Sequence, residues 1–191
     1  MAKLIIATDI HGLSPELNEL FSPLLATDLG YEVTLLSPWF DQNRPEGTEA
    51  EWVTHFLAKD GVTRYASHIA ACASGDAAVI IGFSVGATAA WHYVAQAVCH
   101  PQSRAYLFYG SRIRDAVDLL VRCRTHLLFA EHEASFDPHQ LIERFVSPQV
   151  EAEVLTGLYH GFMNPLHQHF DRQRADLEIA RIAQDIRSMQ C

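Results

Sequence analysis

Short apolar runs alternate along the chain with segments whose apolar residues recur at helical spacing. Leu4–Thr8, Tyr31–Leu36, Ala77–Phe83, Ala105–Tyr109, His126–Ala130 and Val150–Leu155 read as strands. Most are continuous rather than alternating, the pattern of strands covered on both faces. Helices fit between them. Ser14-Pro15-Glu16 supplies an N-cap, a proline at the first helical position and an early acid. That helix is expected to stop at Gly30. Asp137-Pro138 repeats the cap-plus-proline signal. From about Gln168 to Met189, the spacing of Leu177, Ile179, Ile182 and Ile186 predicts an amphipathic closing helix. Regular strand–helix alternation predicts an α/β fold: a parallel sheet of about six strands with helices on both faces. The site should then lie in loops at the carboxyl ends of the strands. The longest irregular stretch runs from Pro38 to Thr48. No internal repeat, low-complexity tract or linker divides the chain, so one domain is expected over residues 1–191.

Composition narrows the class of partner. An apolar share of 49% with 19% charged residues is that of an ordinary globular protein. The net charge of -9 argues against nucleic acid or an anionic membrane as partner. Cys72, Cys99, Cys123 and Cys191 show neither C-x-x-C spacing nor a disulfide framework. They fit reduced thiols, and a cytoplasmic location is expected. The apolar run Leu4-Ile5-Ile6-Ala7 is too short for a signal peptide and meets Asp9 at once. Ala77 to Trp91, the longest stretch of low polarity, falls short of a membrane span.

One segment carries candidate chemistry. Gly82-Phe83-Ser84-Val85-Gly86 follows a strand and opens a helix of small residues. G-x-S-x-G on such a turn is the nucleophile elbow of serine hydrolases. The strained turn projects the hydroxyl of Ser84, and the flanking glycines let helix and sheet approach closely. The amide of Val85, at a helix N-terminus, is placed to donate to a developing oxyanion. A serine hydroxyl is a weak nucleophile without a base and an orienting acid. In this architecture the order is Ser, then acid, then His. Glu131, Glu133 and Asp137 follow the fifth strand as acid candidates, and His160 follows the last strand as the base.

The order and context of these motifs resemble the dienelactone hydrolase family of the α/β-hydrolase fold. The resemblance rests on Ala7-Thr8-Asp9-Ile10-His11-Gly12-Leu13-Ser14-Pro15, the Ser84 elbow, Leu128-Phe129-Ala130-Glu131-His132-Glu133 and Tyr159-His160-Gly161-Phe162, and it spans residues 4–165. It implies Ser84 as nucleophile, His160 as base and Glu133 as acid, with the amides of Val85 and Ile10 as the oxyanion hole. Three departures stand out. The family carries Cys where this chain has Ser84, and usually Asp where it has Glu133. Its arginine shortly after the catalytic histidine is missing here. Asn164 lies in that neighbourhood, and the next arginine is Arg172. Together they imply an ordinary hydrolase of small esters or lactones. The chain is also short for the fold, and the antiparallel strand pair that normally precedes the first parallel strand is expected to be absent.

Other residues have competing readings. Asp9 either contacts the nucleophile or caps its own loop. His11, Trp39, Phe40, Phe83 and Tyr109 lie near strand ends and are candidates for a substrate pocket, with plain packing expected for at least two of the four aromatic residues. Arg112 or Arg114 would bind an anionic substrate group or sit on a solvated helix start. His160, His167 and His169 lack the close acid or thiolate that a metal site needs, so neither metal nor cofactor is expected. A non-catalytic binding or assembly role on the same fold is the competing function. A nucleotide- or flavin-binding fold is disfavoured, because Asp9-Ile10-His11-Gly12 is no phosphate loop.

Overall fold

A computed structural model describes residues 2–25, 30–40 and 42–189. The strands are β1 (Ala2–Ala7), β2 (Tyr31–Leu36), β3 (Ala78–Phe83), β4 (Arg104–Phe108), β5 (Arg124–His132) and β6 (Val150–Tyr159). They form one parallel sheet in the order β2-β1-β3-β4-β5-β6. The helices are α1 (Pro15–Leu20), α2 (Ser22–Leu25), α3 (Glu49–Ala58), α4 (Gly61–Ala73), α5 (Val85–Val94), α6 (Pro138–Ile142) and α7 (Arg172–Ser188). Among the described residues, every strand pairing of the sheet is parallel. No helix there is long and apolar enough to cross a membrane.

The alternation of side chains along a strand builds two cores. Leu4 and Ile6 of β1, with Val79 and Ile81 of β3, pack under α1, α2 and α7. Ile5 and Ala7, with Ile80, pack under α3, α4 and α5. The central β3 is buried throughout, which explains its unbroken apolar run. The edge strands are less covered. In β6 the exposed Glu151 and Glu153 alternate with half-buried neighbours.

Two local expectations are revised. The helix capped by Ser14, whose hydroxyl accepts from the Leu17 amide at 3.2 Å, breaks at Phe21. Pro23 lacks the N–H that would continue it, and a short second helix follows. Its expected end near Gly30 falls on residues 26–29, outside the described ones. Leu177 does not join the apolar face of α7. It is exposed, whereas Ala175, Ile179, Ile182 and Ile186 are buried. Residue 177 lies about 200° round the helix from residue 179. The buried face instead takes in Glu178, which pairs with Arg174 at 2.6 Å. After the irregular stretch, the residues beyond Thr48 form α3, opened by a capping box in which Thr48 and Glu51 satisfy each other's backbone amides. Cys99 and Cys123 lie side by side in the core as free thiols, 3.9 Å apart.

The strand order reverses between β1 and β3. The chain leaves β1 for β2 on one side, then returns to place β3 on the other. Loops leaving neighbouring carboxyl ends in opposite directions open a crevice there. Ser84 follows β3, and the loop from Asp9 to Gly12 follows β1.

Candidate active site

Ser84 is the N-cap of α5, with φ 51° and ψ -110°. A non-glycine residue held there carries on the order of 1–3 kcal/mol of strain. The Ser84 amide donates to the Phe108 carbonyl at 3.0 Å, and the Ser84 carbonyl accepts from the Thr88 amide at 3.0 Å. These two bonds hold the turn from both sides. The glycines are required by space. A Cβ on Gly82 would lie 2.7 Å from the Ala87 Cα, and one on Gly86 would run into the carbonyl oxygens of Ala7 and Thr8. That second approach seats the start of α5 against the end of β1.

The Ser84 hydroxyl lies 3.0 Å from His160 Nε2. On the other side of the ring, Nδ1 lies 2.9 Å from Glu133 Oε2 and 3.1 Å from Oε1. Glu133 extends from the end of β5 with its side chain 2% exposed, so these partners stand in for water. Ser111 is a partner that sequence reasoning missed. It opens a 3-10 turn, Ser111–Asp115, after β4. Its hydroxyl donates to Glu133 Oε2 at 3.2 Å and sits 3.3 Å from His160 Nδ1. Nothing in its local sequence marks it. Asp137 lies elsewhere and caps α6, accepting from the His139 amide at 2.9 Å. Glu131 accepts from the Gly157 amide at 2.7 Å.

Asp9 caps its own loop. One carboxylate oxygen accepts from the His11 amide at 2.9 Å, and the other from the Asn164 side chain at 2.7 Å. Burial raises its pKa, and these donors offset part of that cost. Asn164 also accepts from the Leu166 amide at 2.8 Å, so one buried side chain ties the loop after β1 to the loop after β6. Asn164→Ala would leave a buried carboxylate short of a donor. The expected loss is about 1–3 kcal/mol of stability in urea unfolding. A loss within error would show that water replaces the amide without penalty.

The aromatic candidates separate. The Trp39 indole donates to the Ile10 carbonyl at 2.9 Å and orients that peptide; it lines neither cavity at Ser84 or His160. Phe83 stacks between Phe21 and Phe108 as core packing. Phe40 stacks on His68 at 5.3 Å, away from the site. Tyr109 is buried, with its ring edge against His160 at 4.8 Å. Arg112 pairs with Asp115 at 2.9 Å, and Arg114 donates to the Ser111 carbonyl.

His11 reaches across the mouth to Glu49, the first residue of α3, at 3.1 Å. Glu49 raises the pKa of His11, and the same bond lowers that of Glu49. The raised His11 value means its contribution to stability is complete below the ordinary histidine range. It is lost as pH climbs through the raised value. The Glu49 share is lost as pH falls through its lowered value. Glu49→Gln should therefore lower the thermal midpoint most near about pH 5.5, with a smaller gap near about pH 9. Glu49 is 44% exposed, so the effect is modest. An equal gap at both pH values would remove the ion pair from the stability of the fold. His167 lies 3.9 Å from the same carboxylate, yet among the described residues no group of three side chains is arranged to hold a metal.

Two cavities meet at His160. One, of about 250 Å³, contains Ser84 and Val85. The other, of about 630 Å³, lies beyond the ring and is lined by Glu131, His132, Tyr159, His167 and His169 among others.

No family model matches the sequence. The uncharacterized protein YczH of Bacillus subtilis strain 168 is 39% identical over 97 residues, 49% of this chain and 46% of that protein. The match thus spans about half the length of either chain. Solved structures match over nearly the whole length. A dienelactone hydrolase-like promiscuous phosphotriesterase from metagenomic libraries superposes with a TM-score of 0.66 at 15% identity, covering 97% of this chain and 87% of that one. A CIB-like hydrolase from Thermoplasma acidophilum gives 0.58 at 12%, covering 96% and 86%. A hydrolase of the alpha/beta superfamily from Xanthomonas campestris pv. campestris gives 0.54 at 16%, covering 97% and 99%. At these identities the likeness is one of fold, and the fold is that of the α/β-hydrolases.

Proposed function

We propose that the protein is a serine hydrolase that cleaves a small carboxylic ester or lactone through an acyl-enzyme. The observation that carries this reading is the continuous hydrogen-bond line from Ser84 through His160 to Glu133, starting on a strained turn at the reversal of strand order. Glu133 accepts a hydrogen bond from Nδ1–H of His160, which fixes the tautomer whose Nε2 is free to accept the proton of Ser84. The hydroxyl oxygen then attacks the carbonyl carbon. Negative charge gathers on the carbonyl oxygen, opposite the amides of Val85 and Ile10. The Val85 amide is the first of α5 and has no acceptor within its helix. The Trp39 bond fixes the peptide whose other half precedes His11, and so the tilt of the loop that carries the Ile10 amide. Donors that are already oriented cost no reorganisation during the reaction.

The names of the matched structures, hydrolases and a phosphotriesterase, are in keeping with this chemistry. Serine in place of the thiol usual in dienelactone hydrolases favours ordinary ester cleavage. The test is labelling with a fluorophosphonate probe, with hydrolysis of a panel of p-nitrophenyl esters and small lactones. Covalent labelling of Ser84 with turnover of at least one class is expected. A folded protein that neither labels nor hydrolyses would favour a non-catalytic binding role.

A further inference from the structure

We propose that the two cavities divide an ester at His160. A short apolar acyl group occupies the space beside Ser84, and a bulkier polar alcohol without negative charge occupies the space beyond the ring. This rests on the acyl-transfer reading above and names the substrate class for it.

The chemistry sets the direction. Attack forms a bond from Ser84 Oγ to the carbonyl carbon, and the serine proton passes to His160 Nε2. The carbon–oxygen bond to the alcohol then breaks, and Nε2 returns its proton to the departing oxygen. Water reverses these steps, releasing the acid and restoring the serine. The acyl half stays bonded to Ser84 throughout, so it belongs in the cavity that holds Ser84 and Val85. The alcohol must leave within reach of Nε2. His160 lines both cavities, and with the acyl half beside Ser84 the alcohol takes the one that contains His160 but not Ser84.

The two linings fit these halves. Val53, Leu57 and Val62 wall the acyl side, whose volume is about 250 Å³. At about 30 Å³ per heavy atom, roughly the volume of a water molecule in the liquid, this holds a chain of about eight atoms. The arginines on that side are already engaged, Arg112 by Asp115 and Arg114 by the Ser111 carbonyl. The alcohol side, of about 630 Å³, is lined by polar rings and by Glu131, Glu133 and Glu49, the last of which stands between the two cavities. Tyr159 lies between His132 and His169 with ring centroids 4.4 and 4.5 Å away, a flat polar wall. Among its described lining residues there is no lysine or arginine. Burial holds the His167 pKa down, so that ring supplies no compensating charge at neutral pH. An anionic alcohol would meet three carboxylates and no fixed cation.

Two substrate series test the division. In p-nitrophenyl esters from acetate to laurate, kcat/KM should fall at least tenfold between the four- and twelve-carbon acids. Leu57→Ala should move that fall to longer chains. With acetyl held constant, esters of choline, 3,3-dimethylbutanol and 2-hydroxyethanesulfonate present a cationic, a neutral and an anionic alcohol. The anionic ester should be at least tenfold poorer than the neutral one. Glu49→Gln should shrink that ratio at least threefold. Laurate preferred over butyrate, or an anionic ester as good as the neutral one, would overturn the division while Ser84 labelling and turnover kept the hydrolase reading intact. Absence of labelling and turnover with every ester would defeat both together.

Discussion

Replacing Ser84 by alanine is expected to lower ester hydrolysis by at least about a thousandfold, because a triad that loses its nucleophile keeps only the contribution of its binding and oxyanion groups. The same change should leave the fold in place. The Ser84 side chain reaches His160 and packs nothing in either core. The turn is held by backbone bonds to Phe108 and Thr88, which alanine retains. Alanine also keeps the Cβ, so the strain at φ 51° is unchanged. The measurement is steady-state turnover beside far-ultraviolet circular dichroism. Full activity in a folded variant would remove Ser84 from the mechanism.

The second large effect separates two acids four residues apart in sequence. Glu133→Ala should lower kcat by about a hundred- to ten-thousandfold, since loss of the orienting carboxylate leaves the ring free to take the wrong tautomer. Ser111 remains near Nδ1, but its hydroxyl offers no charge to the imidazolium. Asp137→Ala should leave kcat unchanged and cost about 1 kcal/mol of stability, the usual loss on removing an N-cap. It accepts from the His139 and Gln140 amides and from the Gln140 side chain, all within α6. The opposite pattern, activity lost with Asp137 and stability with Glu133, would exchange the two roles.

Much of the architecture was legible because it follows from local rules. A strand covered on both faces must be apolar at successive positions, so β3 and its neighbours stood out. Ser14 and Asp137 announced helix starts because a short side chain followed by proline satisfies a helix end and little else. The Gly82-to-Gly86 pattern was readable because the turn tolerates no side chain at either glycine. Leu177 was misjudged because residues two apart on a helix point in nearly opposite directions. The eventual face was set by the sheet that α7 covers.

The sequence by itself determined the order of strands and helices, the turn at Ser84 and the set of residues competing for the acid role. Each depends on chemistry within a few positions of the chain. Residue type left Glu131, Glu133 and Asp137 level, and only the family resemblance singled out Glu133; the tertiary structure brings that carboxylate to His160, because the three differ in direction rather than in type. Likewise it brought Ser111 to Glu133 and Asn164 to Asp9, across separations of 22 and 155 residues. Those contacts arise because parallel strands put their carboxyl ends side by side, and the reversal of strand order opens one crevice among them.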